Sequence, residues 1–182
     1  MSKRKFLTHS EVMLLLKHAK TGPQGIRNYC MVLMCYIHGL RVSELLSLRV
    51  SDIDIESNSI FIPRLKNGFS TVHPLQKSEI IAIEAWLKER TTDGTESDIL
   101  FTSAKRGSLT RQLFHHMIKK LGENAGLSIS VHPHMLRHAC GYALADKGKD
   151  TRLIQDYLGH RSIRHTVLYT ASNSARFSGI TF

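Results

Sequence analysis

The sequence predicts a mainly α-helical domain carrying one small antiparallel β-sheet. Two patterns predict it. Apolar residues recur at helical spacing over most of the chain, in runs that begin at capping residues and stop at glycine. From Ser51 to His73 the period changes to alternation, and inside that stretch Asn67-Gly68 supplies the two positive-φ positions of a tight hairpin turn. A chain of 182 residues suits one compact domain and is short for two, so residues 1–182 are read as a single unit.

Taken in order, Leu7-Thr8-His9-Ser10-Glu11-Val12 is a helix start. Thr8 caps, Glu11 completes a capping box, and Leu7 staples to Val12. That helix runs to about Ala19 and breaks at Gly22-Pro23. Tyr29 to Ile37 reads as a buried helix that stops at Gly39. Arg41 falls just past its end, and Ser43 is expected to cap a short helix from Glu44 to Leu48. An arginine there is usually a surface residue; a turn between two buried helices would instead fix Arg41 to point into a site.

Ile53, Ile55, Ile60 and Ile62 alternate with polar residues and predict short strands, with Ser70-Thr71-Val72-His73 returning after the turn. Lys66 immediately precedes that turn. Hairpin lysines mostly keep an edge soluble, but a lysine at a hairpin tip also presents an ammonium to a ligand. Glu79 to Arg90 reads as an amphipathic helix with Trp86 in the core, followed by a polar linker from Thr91 to Asp98 and a short extended piece, Ile99-Leu100-Phe101. Thr110 caps a helix running to about Leu121. Arg106, Arg111, Lys119 and Lys120 are candidate phosphate contacts there, although a charged helix face is commonly just a solvated one.

Charge narrows the class of partner. Lys and Arg number 25 against 15 Asp and Glu, a net charge of +10 that points to a polyanion, with nucleic acid ahead of a membrane surface. No apolar run approaches the ~18 residues of a membrane span, and the basic N-terminus lacks the apolar core of a secretion signal. Cys30, Cys35 and Cys140 are odd in number, lie in apolar helical stretches and lack metal-type spacing, which predicts reduced core thiols.

The last third concentrates the chemistry: His132-Pro133-His134-Met135-Leu136-Arg137-His138, then Leu158-Gly159-His160, then Tyr169. A guanidinium suits phosphate oxygens, imidazoles exchange protons near neutral pH, and a tyrosine is a nucleophile once its proton is taken. Together they suggest attack on a phosphodiester. His134 and His138 stand at a zinc-like spacing, but Met135 replaces the glutamate of a metalloprotease motif and no third ligand is evident. Asp52 and Asp54 read more simply as turn and cap residues than as magnesium ligands, so no metal is expected. The rival nucleophiles Tyr29, Tyr36, Tyr142 and Tyr157 have apolar neighbours that favour core packing.

Arg41 in Gly-Leu-Arg-Val-Ser-Glu, Lys66, His134 and Arg137 in His-Met-Leu-Arg-His, His160 in Leu-Gly-His, and Tyr169 form an ordered series. In this the chain resembles the catalytic domain of the tyrosine recombinases, the lambda-integrase family, from about Leu7 to Tyr169. Leu65 to Thr71, His132 to Gly141 and Asp150 to Gly159 resemble in particular the small fimbrial phase-variation recombinases of enterobacteria. The resemblance implies that Tyr169 attacks a DNA phosphate, forms a 3′-phosphotyrosyl bond and releases a 5′-hydroxyl. Arg41 and Arg137 clamp the non-bridging oxygens, His160 adds a donor, His134 is the base, and Lys66 protonates the leaving oxygen. Glu44 orients a neighbouring Arg or His. One ester replaces another, so neither ATP nor a metal cofactor is implied.

The implied partners are double-stranded DNA with short inverted repeats, a homotetramer on paired sites, and host DNA-bending proteins, all in the bacterial cytoplasm at the nucleoid. The implied activity is inversion of a promoter segment that controls fimbriae. Relaxation of supercoils in the manner of a type IB topoisomerase, or DNA binding without cutting, are the alternatives. Two departures from the family are expected: no separate N-terminal domain precedes the catalytic one, and the tail, about residues 170–182, is short for a subunit contact.

Overall fold

In the computed structural model, residues 4–64, 69–92, 94, 96–173 and 177 are described. The fold is mostly helical with a three-stranded antiparallel sheet, as expected. The elements are α1 (His9–Ala19), α2 (Gly25–His38), α3 (Val42–Ser47), β1 (Ile53–Asp54), β2 (Ser59–Ile62), β3 (Thr71–Pro74), α4 (Lys77–Thr92), α5 (Arg111–Asn124), α6 (Pro133–Asp146), α7 (Thr151–Leu158) and α8 (Arg164–Ala171). Among the described residues no helix is long and apolar enough to cross a membrane.

α1 begins as its sequence dictates, with the Thr8–Glu11 capping box formed and Leu7 and Val12 both buried. α2 is the central helix. It packs on α1, α4 and α6, and its Cys30 to Cys35 segment is wholly buried. All three cysteines are free and buried, and burial pushes the Cys140 thiol up to about 12, which makes it inert at neutral pH.

Several boundaries differ from the sequence reading, four of them for a local polar reason. α2 starts at Gly25, ahead of the apolar run, because Arg27 is buried and donates to the Thr102 carbonyl. α3 starts at Val42 with Arg41, not Ser43, at the cap, because the Glu44 carboxylate accepts the Arg41 backbone N–H at 2.9 Å. Ile55 is not in a strand, since the chain turns after Asp54, whose carboxylate accepts the Ser57 N–H. α4 continues to Thr92, the Thr91 and Thr92 hydroxyls donating back to the Leu87 and Lys88 carbonyls instead of opening a linker.

β2 pairs with β3 in the register Ile60↔His73 and Ile62↔Thr71. Lys66 and Asn67-Gly68, expected to form the hairpin turn, lie outside the described residues. Trp86 is buried and donates its indole N–H to the Leu100 carbonyl, which ties α4 to the extended piece. α7 is capped by Asp150, whose carboxylate accepts two backbone N–H groups.

Candidate active site

The site is built where two helices end. α2 stops at Gly39 (φ 59°) and α7 at Gly159 (φ 65°), both left-handed caps that glycine adopts without strain. Helix ends leave carbonyls without intrahelical partners, and two buried guanidiniums take them in parallel. Arg137, on α6, donates to the carbonyls of Gly39 and of Leu158, the latter at 2.7 Å. Arg64, two residues past the end of β2, donates to the preceding carbonyl of each helix, His38 at 3.2 Å and Tyr157. The ends meet closely: a methyl at Gly39 would lie 2.3 Å from the Leu158 side chain, and one at Gly159 would lie 2.9 Å from Arg64.

Glu44 joins the arginines. Its carboxylate is fully buried, accepts Arg64 Nη1 at 2.9 Å, pairs with the Arg41 guanidinium, and lies 3.9 Å from Arg137 Nη1. Burial alone would raise the Glu44 carboxyl, but the charges of Arg64, Arg41 and Arg137 hold it below the usual range. Burial, with repulsion from Arg41 and Arg64, lowers Arg137 to about 10, so it remains charged at neutral pH. Arg41 is the more open of the pair expected to hold phosphate, its side chain 27 % exposed against 2 % for Arg137.

Tyr169, on α8, is the most enclosed of the tyrosines, only 1 % exposed. Tyr29, Tyr36, Tyr142 and Tyr157 pack against the core as expected, but each is partly exposed. Its ring lies flat against Gly141 of α6, where an added methyl would meet ring atoms at 2.6–2.8 Å, and Tyr142 packs edge-on at 5.1 Å. The hydroxyl is 2.9 Å from His138 Nδ1. His160 stacks nearly parallel at 6.4 Å between centroids and is itself held by Thr166, 2.9 Å from its Nδ1. His134 sits one turn before His138 and meets that ring edge-on at 4.8 Å.

Burial raises the Tyr169 phenol to about 12, partly offset by Arg137. The histidines move the other way. Burial, with nearby His134 and Arg137, takes His138 down to about 4; burial, with Arg137 and Arg41, takes His160 to about 3; burial also lowers His134. His138 and His160 are therefore neutral at neutral pH. A histidine held neutral in the fold but free to ionise above it when unfolded contributes stability that is complete above about pH 6.5 and is lost as pH falls toward 4. The urea midpoint should therefore fall between about pH 7.5 and pH 5, before Glu44 begins to protonate; an unchanged midpoint would contradict the neutral histidines.

The structure thus gathers Arg41, Glu44, His134, Arg137, His160 and Tyr169 in one cluster around α6. Lys66 lies outside the described residues. Arg106, Arg111, Lys119 and Lys120 are all exposed, on α5 and the loop before it. Burial, with His115 of the same helix nearby, lowers His132 at the start of α6. Asp52 accepts the Arg49 N–H, the turn role expected of it, and among the described residues no three His, Cys, Asp or Glu side chains converge as a metal site would require. Sequence reading missed Arg64 and Gly141, and considered His138 only as a metal ligand. The four-residue step from His134 to His138 was the available signal for the last.

Arginines braced by one carboxylate, beside an enclosed tyrosine flanked by histidines on a mainly helical domain, define a tyrosine recombinase catalytic domain. The chain belongs to the phage integrase family, whose sequence pattern it matches over residues 5–176. It is 60 % identical over 179 residues to the type 1 fimbriae regulatory protein FimB of Escherichia coli K12, covering 98 % of this chain and 90 % of that protein. It is 52 % identical over 182 residues to FimE of the same strain, covering 99 % and 92 %. Among solved structures it is similar to the XerA recombinase, with a TM-score of 0.84 and 30 % identity over 94 % of this chain and 62 % of that one. It is also similar to the XerH recombinase bound to its difH substrate before cleavage, with a TM-score of 0.79 and 26 % identity over 92 % and 50 %. The chain therefore spans half to three-fifths of the length of those two solved recombinases.

Proposed function

We propose that this enzyme inverts a DNA segment between short inverted repeats and thereby switches fimbrial expression. The observation that carries the reading is Tyr169, enclosed between two neutral histidines and close to Arg137, which shares Glu44 with Arg41. The strong likeness to FimB and FimE supports the fimbrial setting, and the recombinases solved on DNA support double-stranded DNA as the partner.

In this reading Arg41 and Arg137 receive the non-bridging oxygens, whose charge grows in the transition state, and His160 donates to the same phosphate. The Tyr169 oxygen forms a bond to phosphorus as the bond to the 5′ oxygen breaks. The phenol proton passes to the imidazole pair formed by His138, which already touches the hydroxyl, and His134 behind it. Lys66 returns a proton to the departing 5′ oxygen, because an alkoxide leaves poorly. A phenol near 12 costs roughly 7 kcal/mol to ionise at neutral pH, so proton removal and attack are concerted rather than sequential. Four protomers exchange strands in two successive pairs in the cytoplasm, with Arg106, Arg111, Lys119 and Lys120 contributing sequence-independent backbone contacts.

The test is covalent trapping on nicked duplexes bearing inverted repeats from beside the coding region, without metal, followed by a denaturing gel. A DNA-linked band joined through a 3′ phosphate and absent from Tyr169→Phe is expected, together with inversion of a two-site plasmid. Binding at low salt with no adduct would overturn the reading, and relaxation without inversion would replace it with a topoisomerase.

A further inference from the structure

Arg64 is as deeply placed as any charge in the protein and has no role in the chemistry above. Its side chain is fully buried: the Nη groups donate to Glu44 and to the ends of α2 and α7, and Nε is buried without a partner, so none of its donors faces the surface where a phosphate would bind. It nevertheless shares its carboxylate with the two arginines assigned to phosphate. A carboxylate placed between two phosphate-binding guanidiniums fixes them but also cancels one of their two charges. A third guanidinium on the same carboxylate restores the balance, leaving two net positive charges from three arginines and Glu44.

We propose that Arg64 is a positioning residue for phosphate activation: it serves as the counter-charge that lets Glu44 brace Arg41 and Arg137 without reducing the positive potential they present to DNA. Geometry supports the division of labour. Arg64 and Arg137 span the same two helix ends one carbonyl apart, so they are fixed relative to each other. Arg41, the most exposed of the three, faces outward from the same carboxylate. The inference rests on the reading of Arg41 and Arg137 as phosphate ligands.

The experiment compares single-turnover Tyr169 adduct formation on two nicked duplexes, one with an ordinary scissile phosphodiester and one with a methylphosphonate that lacks a charged non-bridging oxygen. The readout is the ratio of the two rates, which a smaller folded fraction leaves unchanged because it scales both rates alike. Arg64→Met, which removes one charge from the cluster, should lower the phosphodiester-to-methylphosphonate ratio by about tenfold or more. Glu44→Gln should raise it, and the double variant Arg64→Met with Glu44→Gln should return it to the wild-type value. Arg64→Lys keeps the charge without the fork and should keep the ratio. If the Met variant does not fold, Arg64→Gln, which still donates to Glu44, takes its place with the same expectation.

A ratio unchanged from wild type in a folded Arg64→Met or Arg64→Gln would overturn the inference, whatever the absolute rates. A wild-type chain that forms no Tyr169 adduct on either duplex would instead overturn the recombinase reading, and this inference with it.

Discussion

Replacing Glu44 by alanine should cost the protein about 3–5 kcal/mol of stability, because it strands the buried Arg64 charge without its carboxylate. Set against a total of about 5–15 kcal/mol for a domain, that is a large fraction. It should lower the thermal midpoint by roughly 10 °C. The carbonyls of His38 and Tyr157 still accept from Arg64, so the chain is not expected to collapse outright. A midpoint within about two degrees of wild type would mean that those carbonyls, not the carboxylate, hold the guanidinium. Glu44→Gln, which keeps an acceptor for Arg41 and Arg64, should fall between the two.

The second large effect is expected at Gly141. An alanine methyl there would press on Tyr169 at 2.6–2.8 Å from three ring atoms, roughly an ångström inside ordinary contact. The ring must shift, and if Tyr169 is the nucleophile as proposed, a displacement of about an ångström should cost on the order of 100-fold in rate. Stability should change far less. Crowding costs about 1–3 kcal/mol, while alanine in a helix interior recovers about 1 kcal/mol over glycine. Gly141→Ala should therefore melt near wild type yet form the Tyr169 adduct about 100-fold more slowly. Adduct formation as fast as wild type or faster would show that the enclosed position is one the tyrosine has to leave before it attacks.

How much of this was legible follows from how far apart the interacting residues lie. The capping box at Thr8, the register change at Ile53 and the cap at Thr110 depend on neighbours three or so residues away, and they appeared as read. Arg41, His134, Arg137, His160 and Tyr169 could be picked out because together they form an ordered series along the chain, although nothing in that series showed that Tyr169 would be more enclosed than the other tyrosines. That enclosure comes from Gly141 and His138 on another helix, 28 and 31 residues earlier in the chain. Arg64 was harder still. Its partners lie 20, 26 and 93 residues away, and two of them are backbone carbonyls that carry no side-chain signature at all. Arg41 shows the converse: the sequence placed it at a helix junction but could not say that Glu44, three residues on, would take over the capping role given to Ser43.

The parallel bonds of Arg64 and Arg137 to the ends of α2 and α7 have an evolutionary consequence. The same guanidinium that is proposed to hold a phosphate also ties two helix ends together, so losing Arg137 should cost the fold as well as the proposed reaction. A lineage that gave up cutting and kept only DNA binding would still be selected to retain Arg137, Arg64 and Glu44. The Tyr169 hydroxyl is under a lighter structural constraint, one hydrogen bond of about 1 kcal/mol to His138. Among descendants of this chain, drift from tyrosine to phenylalanine at position 169 should thus mark abandoned catalysis well before any change in the arginines.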